Sequence, residues 1–451
     1  MSRAYCVVGG GISGLVAAYR LRAAVGADAT ITVFDPADRL GGILRTETLA
    51  GQAMDIGAEA FVVRRPEVPA LLAELGLGGL QIGTTGVRPT VYAGGRIHPL
   101  PPDTVNGVPS SARSVTGLVD DATIARIAAE PDRPMSWRPG ADPAVGAVVA
   151  DRFGEQVVAR SVDPMLAGVY AGSAATIGIR AAVPTVAAAL DAGATSLTEA
   201  CRRALPGGTR GPVFGAIEGG YRVLLDELVR RSGLRWVQTA VRHIAADGPG
   251  WVLRDDEGSS LRADAVIVAV PAPQLPGLVG DIAPRAAAAA ARIPVASAAV
   301  LAMAVPGGTP LPPQSGVLVA SGERLHTKAI TLSSRKWGSR GNTELLRMSF
   351  GRFGDAIAHT TADAELQSWA VSDLRTVFGI AVDPVDVLVY RWLDAMPQYG
   401  PGHGELAAEL RADLPPGLAI TGNYIDGVGV PACVAAAGRA AASVVAATAR
   451  R

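Results

Sequence analysis

The chain has 451 residues with 41 basic and 41 acidic side chains, a formal net charge of zero, so no global field draws it to nucleic acid. Hydrophobic residues make up 49% and charged ones 18%, with 54 glycines and 32 prolines, which suits a loop-rich α/β enzyme of about three domains with large cores. The three cysteines, Cys6, Cys201 and Cys433, stand far apart and outside any C-x-x-C spacing, which points away from a disulfide framework or a zinc site and towards a reduced, cytoplasmic setting.

The chain begins with a strand, Tyr5-Cys6-Val7-Val8, a glycine turn at Gly9, Gly10, Gly11 and Gly14, and a helix running through Leu15 to Leu21. The turn, Gly9-Gly10-Gly11-Ile12-Ser13-Gly14, spells G-x-G-x-x-G, in which glycines permit the bend, the close backbone approach to a pyrophosphate and the close packing of helix on strand. The anion then meets the free N–H groups of the helix N-terminus. A second strand, Thr30 to Phe34, ends in Asp35, placed to take the hydroxyls of an adenosine ribose. Next comes Arg39-Leu40-Gly41-Gly42-Ile43, a second glycine pair that an NAD dehydrogenase does not need. Gly51 through Ala60 reads as a short strand feeding a small-residue loop, Gly57-Ala58-Glu59-Ala60.

Phe61 to Glu67 is expected to open a helix, with Pro66 in its first turn. It delivers Arg64 and Arg65 towards the loop, either as a solvated pair or as ligand-facing groups. Thr90 to Pro109 is strand-like, with a hairpin turn at Gly94-Gly95. Ala122–Glu130, Pro143–Asp163 and Pro184–Ala204 are helical and alanine-rich, an inserted helical domain interrupted by a glycine-flanked Tyr170 that either packs or faces a ligand. The dinucleotide domain resumes at Phe214 to Gly220, followed by a helix from Tyr221 to Arg231. Strands follow at 235–239, 241–244 and 251–253, and Ala265 to Val270 has the continuous apolar character of a strand buried on both faces.

From about 293 to 390, strands at Ala298–Val305, Gly316–Val319, Ala329–Leu332 and Glu344–Phe350 predict a mixed sheet, with a helix from Asp363 to Val377. Arg391 to Tyr399, which holds Trp392, marks the crossing back to the first domain. A last strand, Leu418 to Tyr424, leads into Ile425 to Pro431 and a long alanine-rich helix. This second glycine turn offers N–H groups to the other polar end of a dinucleotide. The partition is a split dinucleotide-binding domain (1–88, 206–275 and 391–451), a helical insert (89–205) and a substrate domain (276–390). The five histidines, His98, His243, His326, His359 and His403, lack metal-ligand spacing, so no metal is expected. Val295 to Val305 is too short to span a bilayer, which takes about twenty apolar residues, and membrane contact is expected to be peripheral at most.

The N-terminal block, Asp163 to Gly172, Arg391 to Tyr399 and Gly422 to Val434, in this order and spacing, resemble bacterial porphyrinogen oxidases of the protoporphyrinogen/coproporphyrinogen oxidase family, within the flavin amine oxidases. The resemblance covers essentially the whole chain and implies an α/β fold with a split Rossmann-like FAD-binding domain, a mixed-sheet substrate domain and an inserted helical domain. It places FAD contacts at Gly9, Gly10, Gly11, Ile12, Ser13, Gly14, Asp35, Arg39, Gly42, Ile43, Gly57, Ala58, Glu59, Ala60, Val241, Trp392, Gly422, Asn423, Val428, Gly429 and Val430.

Within the family the chain looks closest to the Gram-positive type, whose implied reaction is the six-electron oxidation of coproporphyrinogen III, with molecular oxygen as acceptor and hydrogen peroxide formed. A ferrochelatase-type enzyme is the implied next partner. One departure is visible: the family's mitochondrial and plant members carry a propionate-holding arginine after H-x-L-P, whereas His98-Pro99-Leu100-Pro101 is followed here by Thr104-Val105-Asn106-Gly107. Arg64, Arg65 and Lys336, one of only two lysines in the chain with Lys328, become the candidates for the substrate acids, with Tyr170 as a further contact. No catalytic base is assigned. Protoporphyrinogen IX oxidation, amine oxidation with Lys336 beside the flavin, carotenoid desaturation, and non-catalytic porphyrin carriage stand as alternatives.

Overall fold

The computed structural model describes residues 3–207, 211–339 and 341–450. Five parallel strands form one sheet in the order Arg235–Val237, Thr30–Phe34, Ala4–Val8, Ala265–Val268, Leu418–Ile420. Their unbroken apolar runs follow from cover on both faces. On one side lie the helices Ile12–Val25, Tyr221–Ser232 and Val430–Ala449, with Leu15, Leu224 and Ala437 wholly buried. On the other, a three-stranded antiparallel sheet (Val241–Asp247, Gly250–Asp255, Ser260–Ala263) and the alanine-rich helix Pro284–Ala291 close over Ile244, Leu253 and Val266. Three well-separated stretches of chain therefore make one parallel-sheet unit.

A second sheet has seven strands in the order Asp386–Pro397, Val295–Pro306, Thr343–Phe350, Thr327–Leu332, Gly316–Val319, Thr90–Ala93, Arg96–Pro99. All pairs are antiparallel except Gly316–Val319 with Thr90–Ala93. The helix Asp363–Phe378 covers one face through Leu366, Ala370 and Leu374. The opposite face, with Ala302, Ala304, Leu345 and Trp392, meets Leu49, Met54 and Ile56 of the first domain. The expected hairpin is present, Gly94 and Gly95 both at positive φ (60° and 73°), and it extends this sheet.

Several local expectations differ from the structure. Phe61–Val62 is a short strand paired with Phe214–Ile217, and the helix begins only at Glu67 with Pro66 just before it; sheet pairing satisfies backbone groups that a helix would otherwise have used. The predicted helix 143–163 breaks at Gly154 (φ +101°) into Val145–Phe153 and, after a short wide-turned stretch, Asp163–Tyr170. That at 184–204 breaks around Gly193 (φ +84°) into Pro184–Asp191 and Leu197–Ala204. The last strand stops at Ile420. Residues 391–397 belong to a twelve-residue strand that begins at Asp386 and pairs along Val295–Pro306, so the boundary expected at 390 falls inside a continuous strand.

The helical insert has its own core, around Val149, Phe153, Leu166, Ile177 and Val186. A buried ion pair anchors it: Arg152 Nε donates to Glu130 Oε1 at 2.7 Å, and the same carboxylate accepts from the Leu197 and Thr198 N–H groups and the Thr198 hydroxyl at the start of Leu197–Ala204. Removing one partner of such a pair strands the other charge without water, at a cost of about 3–5 kcal/mol. Glu130→Ala should therefore lower stability by that amount in urea unfolding, and Arg152→Met in the Glu130→Ala background should recover part of it.

Candidate active site

The glycine turn is built by close approaches that leave no room for side chains. A Cβ on Gly14 would collide with the Gly9 carbonyl oxygen, and one on Gly9, at φ +105°, would lie 2.6 Å from the carbonyl oxygen of Ala269, just past the neighbouring strand. The helix that follows starts at Ile12 without a side-chain cap, so its first N–H groups stay available to an anion. Asp35 braces the turn: Oδ2 accepts from the Gly10 N–H at 2.6 Å and Oδ1 from the Ala37 N–H at 2.9 Å. Val241 is buried in the same cluster as Val8 and Phe34, next to the Asp35 end of the sheet.

The second glycine pair lies directly on the first. The Gly41 N–H donates to the Gly10 carbonyl at 2.8 Å, and a Cβ on Gly42 would stand 3.0 Å from the Gly11 Cα. Arg39 holds this loop, its guanidinium donating to the carbonyls of Leu40 (3.1 Å), Leu44 (2.9 Å) and Gly42 (2.6 Å). Burial and the nearby Arg45 pull its pKa down from the ordinary arginine value.

The small-residue loop at 57–60 joins the two domains. A Cβ on Gly57 would collide with the Ile43 carbonyl. Trp392 Nε1 donates to the Ile56 carbonyl at 3.0 Å, and Arg347 Nη2 to the Gly57 carbonyl at 2.9 Å. Glu59 is ion-paired with Lys336; burial pushes its carboxyl up, but Lys336 and Arg347 outweigh this and hold it below the usual range.

At the C-terminal end, a side chain on Gly422 would collide with the Tyr424 ring. Asn423 Nδ2 donates to the Ala395 carbonyl at 3.2 Å, and the Tyr399 hydroxyl bridges the Asn423 carbonyl and the Gly427 N–H, each at 2.8 Å. Gly429 is extended at the start of the last helix, which has no side-chain cap either. Val428 packs on the helical insert and Val430 on the parallel-sheet core. Ser13 hydrogen-bonds Cys433, so the first turns of the first and last helices lie side by side and aim two sets of free N–H groups the same way. The glycine cradle, both uncapped helix ends, Arg39 and the Asp35 carboxylate together suit a dinucleotide carrying a pyrophosphate.

The four substrate candidates do not converge. Arg64 and Arg65 are exposed, and Arg65 is paired with Glu67 at 2.5 Å. Tyr170 is buried in the helical insert, where its hydroxyl donates to the Ala181 carbonyl at 3.1 Å and its ring tilts against Tyr399; burial pushes the phenol up to about 12. Lys336 alone lies at the small-residue loop, through Glu59. Sequence reasoning missed Arg347 and Tyr399. The signal for Arg347 was an arginine set between the apolar Leu345-Leu346 pair and Met348 in a strand; nothing in the sequence marked Tyr399 as the clasp of the C-terminal turn.

From residue 12 to residue 445 the chain matches the model of the flavin containing amine oxidoreductases, and it belongs to that family. It is a flavin-dependent oxidoreductase. It is 67% identical over 443 residues, 98% of this chain and 97% of the other, to a coproporphyrinogen III oxidase of Mycobacterium tuberculosis (strain ATCC 25618 / H37Rv). To the protein of the same name from Mycobacterium leprae (strain TN) it is 65% identical over 449 residues, covering both chains in full. The fold superimposes on the crystal structure of a putative protoporphyrinogen oxidase from Exiguobacterium sp. 255-15 with a TM-score of 0.88, at 28% identity and full coverage of both chains.

Two measurements test this construction. Gly57→Ala should give a folded protein that retains little flavin, read from the ratio of visible to ultraviolet absorbance, because the added methyl pushes the loop off Ile43. Asp55 supplies a pH test. Its carboxyl, accepting from Thr46 Oγ1 at 2.5 Å and the Tyr221 N–H at 3.1 Å, is pushed by burial from its ordinary 3.8 to about 7. Between those values the folded chain keeps a proton that the unfolded chain releases, so this group's contribution to stability is lost as pH rises through the window. Asp55→Asn should flatten the fall of melting temperature between about pH 4 and 7; an unchanged slope would rule Asp55 out as its source.

Proposed function

We propose that this chain oxidises coproporphyrinogen III to coproporphyrin III with FAD as cofactor and molecular oxygen as final acceptor. The observation that carries this is the identity of 65–67% over nearly the whole length to proteins named coproporphyrinogen III oxidase. FAD is held by Gly9 to Gly14, Asp35, Arg39, Gly42, Ile43, Gly57 to Ala60, Val241, Trp392, Gly422, Asn423 and Val428 to Val430. When bound it supplies the two-electron acceptor, used three times per porphyrinogen and reoxidised by oxygen to give hydrogen peroxide.

The chain's own work is to bind, orient and keep water out. The donor carbon must be held within about 3–3.5 Å of its acceptor. No side chain is assigned as base, since the pyrrole nitrogens release protons as the ring system conjugates. The ion pair with Glu59 engages Lys336, which disfavours the lysine role that amine oxidation would give it. We place the enzyme in the cytoplasm, handing its product to a ferrochelatase-type enzyme. The helix Val430–Ala449 is long and apolar enough to cross a membrane, but it is packed against the parallel sheet and the first helix, which supports peripheral membrane contact at most.

The test supplies anaerobically prepared coproporphyrinogen III and protoporphyrinogen IX in parallel, admits air and follows porphyrin fluorescence against an enzyme-free control. Faster oxidation of coproporphyrinogen is expected. A preference for protoporphyrinogen would overturn the substrate, and turnover of amines alone would overturn the reaction class.

A further inference from the structure

Coproporphyrinogen carries four propionates, and the residues that the sequence offered for them are spent elsewhere or exposed. A different place has unspent positive charge. Where the helical insert meets the seven-stranded sheet there is a cavity of about 280 Å³, lined by Ser321, His326, Lys328, Gly351, Arg352 and Asp355 among others. Lys328 is 6% exposed and, among the described residues, makes a single side-chain hydrogen bond, from Nζ to the Gly351 carbonyl at 2.6 Å. Arg352 spends Nη2 on the Val319 carbonyl at 3.2 Å, while its Nη1 is buried with no partner among the described residues.

The carboxylates nearby are already engaged. Asp355 accepts from the Arg352 and Ile357 N–H groups, Glu323 from those of Gly94 and Gly95, and Asp163 from the Ser321 hydroxyl and the Ala174 N–H. Asp373, behind His326, accepts from the His326 and Thr327 N–H groups and the Thr327 hydroxyl. Among the described residues none of these acids is ion-paired with Lys328 or Arg352. Burial and the neighbouring Arg352 and Arg347 depress the Lys328 ammonium to about 7 against the weaker opposing pull of Asp355, as expected of a buried cation with no carboxylate in direct contact; Asp163 and Asp355 act on Arg352 in the same indirect way.

The cavity is tied to the flavin side through the strands themselves. Lys328 is the extra residue of a bulge in Thr327–Leu332, set between Thr327, which pairs with Phe350, and Ala329, which pairs with Ser349. Bulges re-aim side chains next to sites. Arg347, two to three residues back on the partner strand, binds the Gly57 carbonyl at the small-residue loop, so the two places lie about 7–10 Å apart along the strand. A macrocycle with a three-carbon acid arm spans such a distance.

We propose that Lys328 and Arg352 bind one propionate carboxylate of the porphyrinogen. The assignment rests on the functional reading above. Both cations line this cavity, and the carboxylate accepts charge-assisted hydrogen bonds from the Lys328 ammonium and from the unpartnered Arg352 Nη1.

The test uses the flavin-loaded protein and titrates coproporphyrin III, the stable oxidised product, against its tetramethyl ester by fluorescence. Lys328→Met and Arg352→Gln should each weaken free-acid binding roughly tenfold or more and raise KM for coproporphyrinogen more than they lower kcat. Ester binding should stay unchanged, and Arg352→Lys should restore much of the loss. Variants with wild-type flavin spectrum and melting temperature that bind the free acid normally, or lose acid and ester equally, would overturn the proposal. If Lys328→Met fails to fold, the two Arg352 variants decide. Wild-type protein that neither binds coproporphyrin III nor oxidises its porphyrinogen overturns the functional reading, whereas an active wild type with unaffected variants overturns only the propionate assignment.

Discussion

Everything in this molecule depends on backbone meeting backbone at Gly9, Gly14, Gly42 and Gly57. At each the chain comes so near another carbonyl or Cα that a methyl group would force the two apart. The contacts stack in series: strand against helix at Gly9 and Gly14, the second glycine loop on the first at Gly42, and the inter-domain loop on the second at Gly57. The consequence is a continuous floor of peptide groups rather than side chains, and such a floor can lie flat against a planar cofactor and direct N–H groups at its phosphates. The side chains that matter here, Asp35, Arg39, Trp392 and Arg347, are chiefly fasteners: each hydrogen-bonds backbone of these loops.

The two sheets divide the labour. The parallel sheet is covered on both faces and positions the glycine loops at its strand ends. The seven-stranded sheet keeps one face for the helix Asp363–Phe378 and turns the other, lined by small aliphatic residues and Trp392, towards the first domain. The helical insert, held by its buried Glu130–Arg152 pair, closes the third side.

What could be read from residues alone was whatever has a local cause. The glycine turn, Asp35 at its spacing and the buried strand at 265–268 declare themselves because conformational demand and two-sided burial leave marks within a few residues. Helix ends at Gly154 and Gly193 were missed because a glycine within an alanine-rich run is ambiguous until the packing of the next segment decides whether the chain turns. The pairing of Thr90–Ala93 with Gly316–Val319 was illegible, since no rule of spacing connects strands more than two hundred residues apart. The same limit governed the cations. Lys328 and Lys336 stand eight positions apart in similar text; one is paired with Glu59, whose partner strand and loop come from the other end of the chain, and the other is buried with a single hydrogen bond. Only tertiary structure separates them.

The split of the parallel sheet has a consequence for how the protein is made. Ala4–Val8 is flanked by a strand that emerges soon after it and by Ala265–Val268, and the sheet is complete only with Leu418–Ile420. The Tyr5 hydroxyl hydrogen-bonds Thr448, 443 positions away. During synthesis the glycine turn waits for its second neighbouring strand, Ala265–Val268, until more than half of the chain is made, and for its covering last helix, Val430–Ala449, until nearly all of it is. Such non-local closure is slow and leaves strand edges exposed in the meantime. The first helix therefore gains its neighbour, through the Ser13–Cys433 contact, only once the two ends of the polypeptide have met.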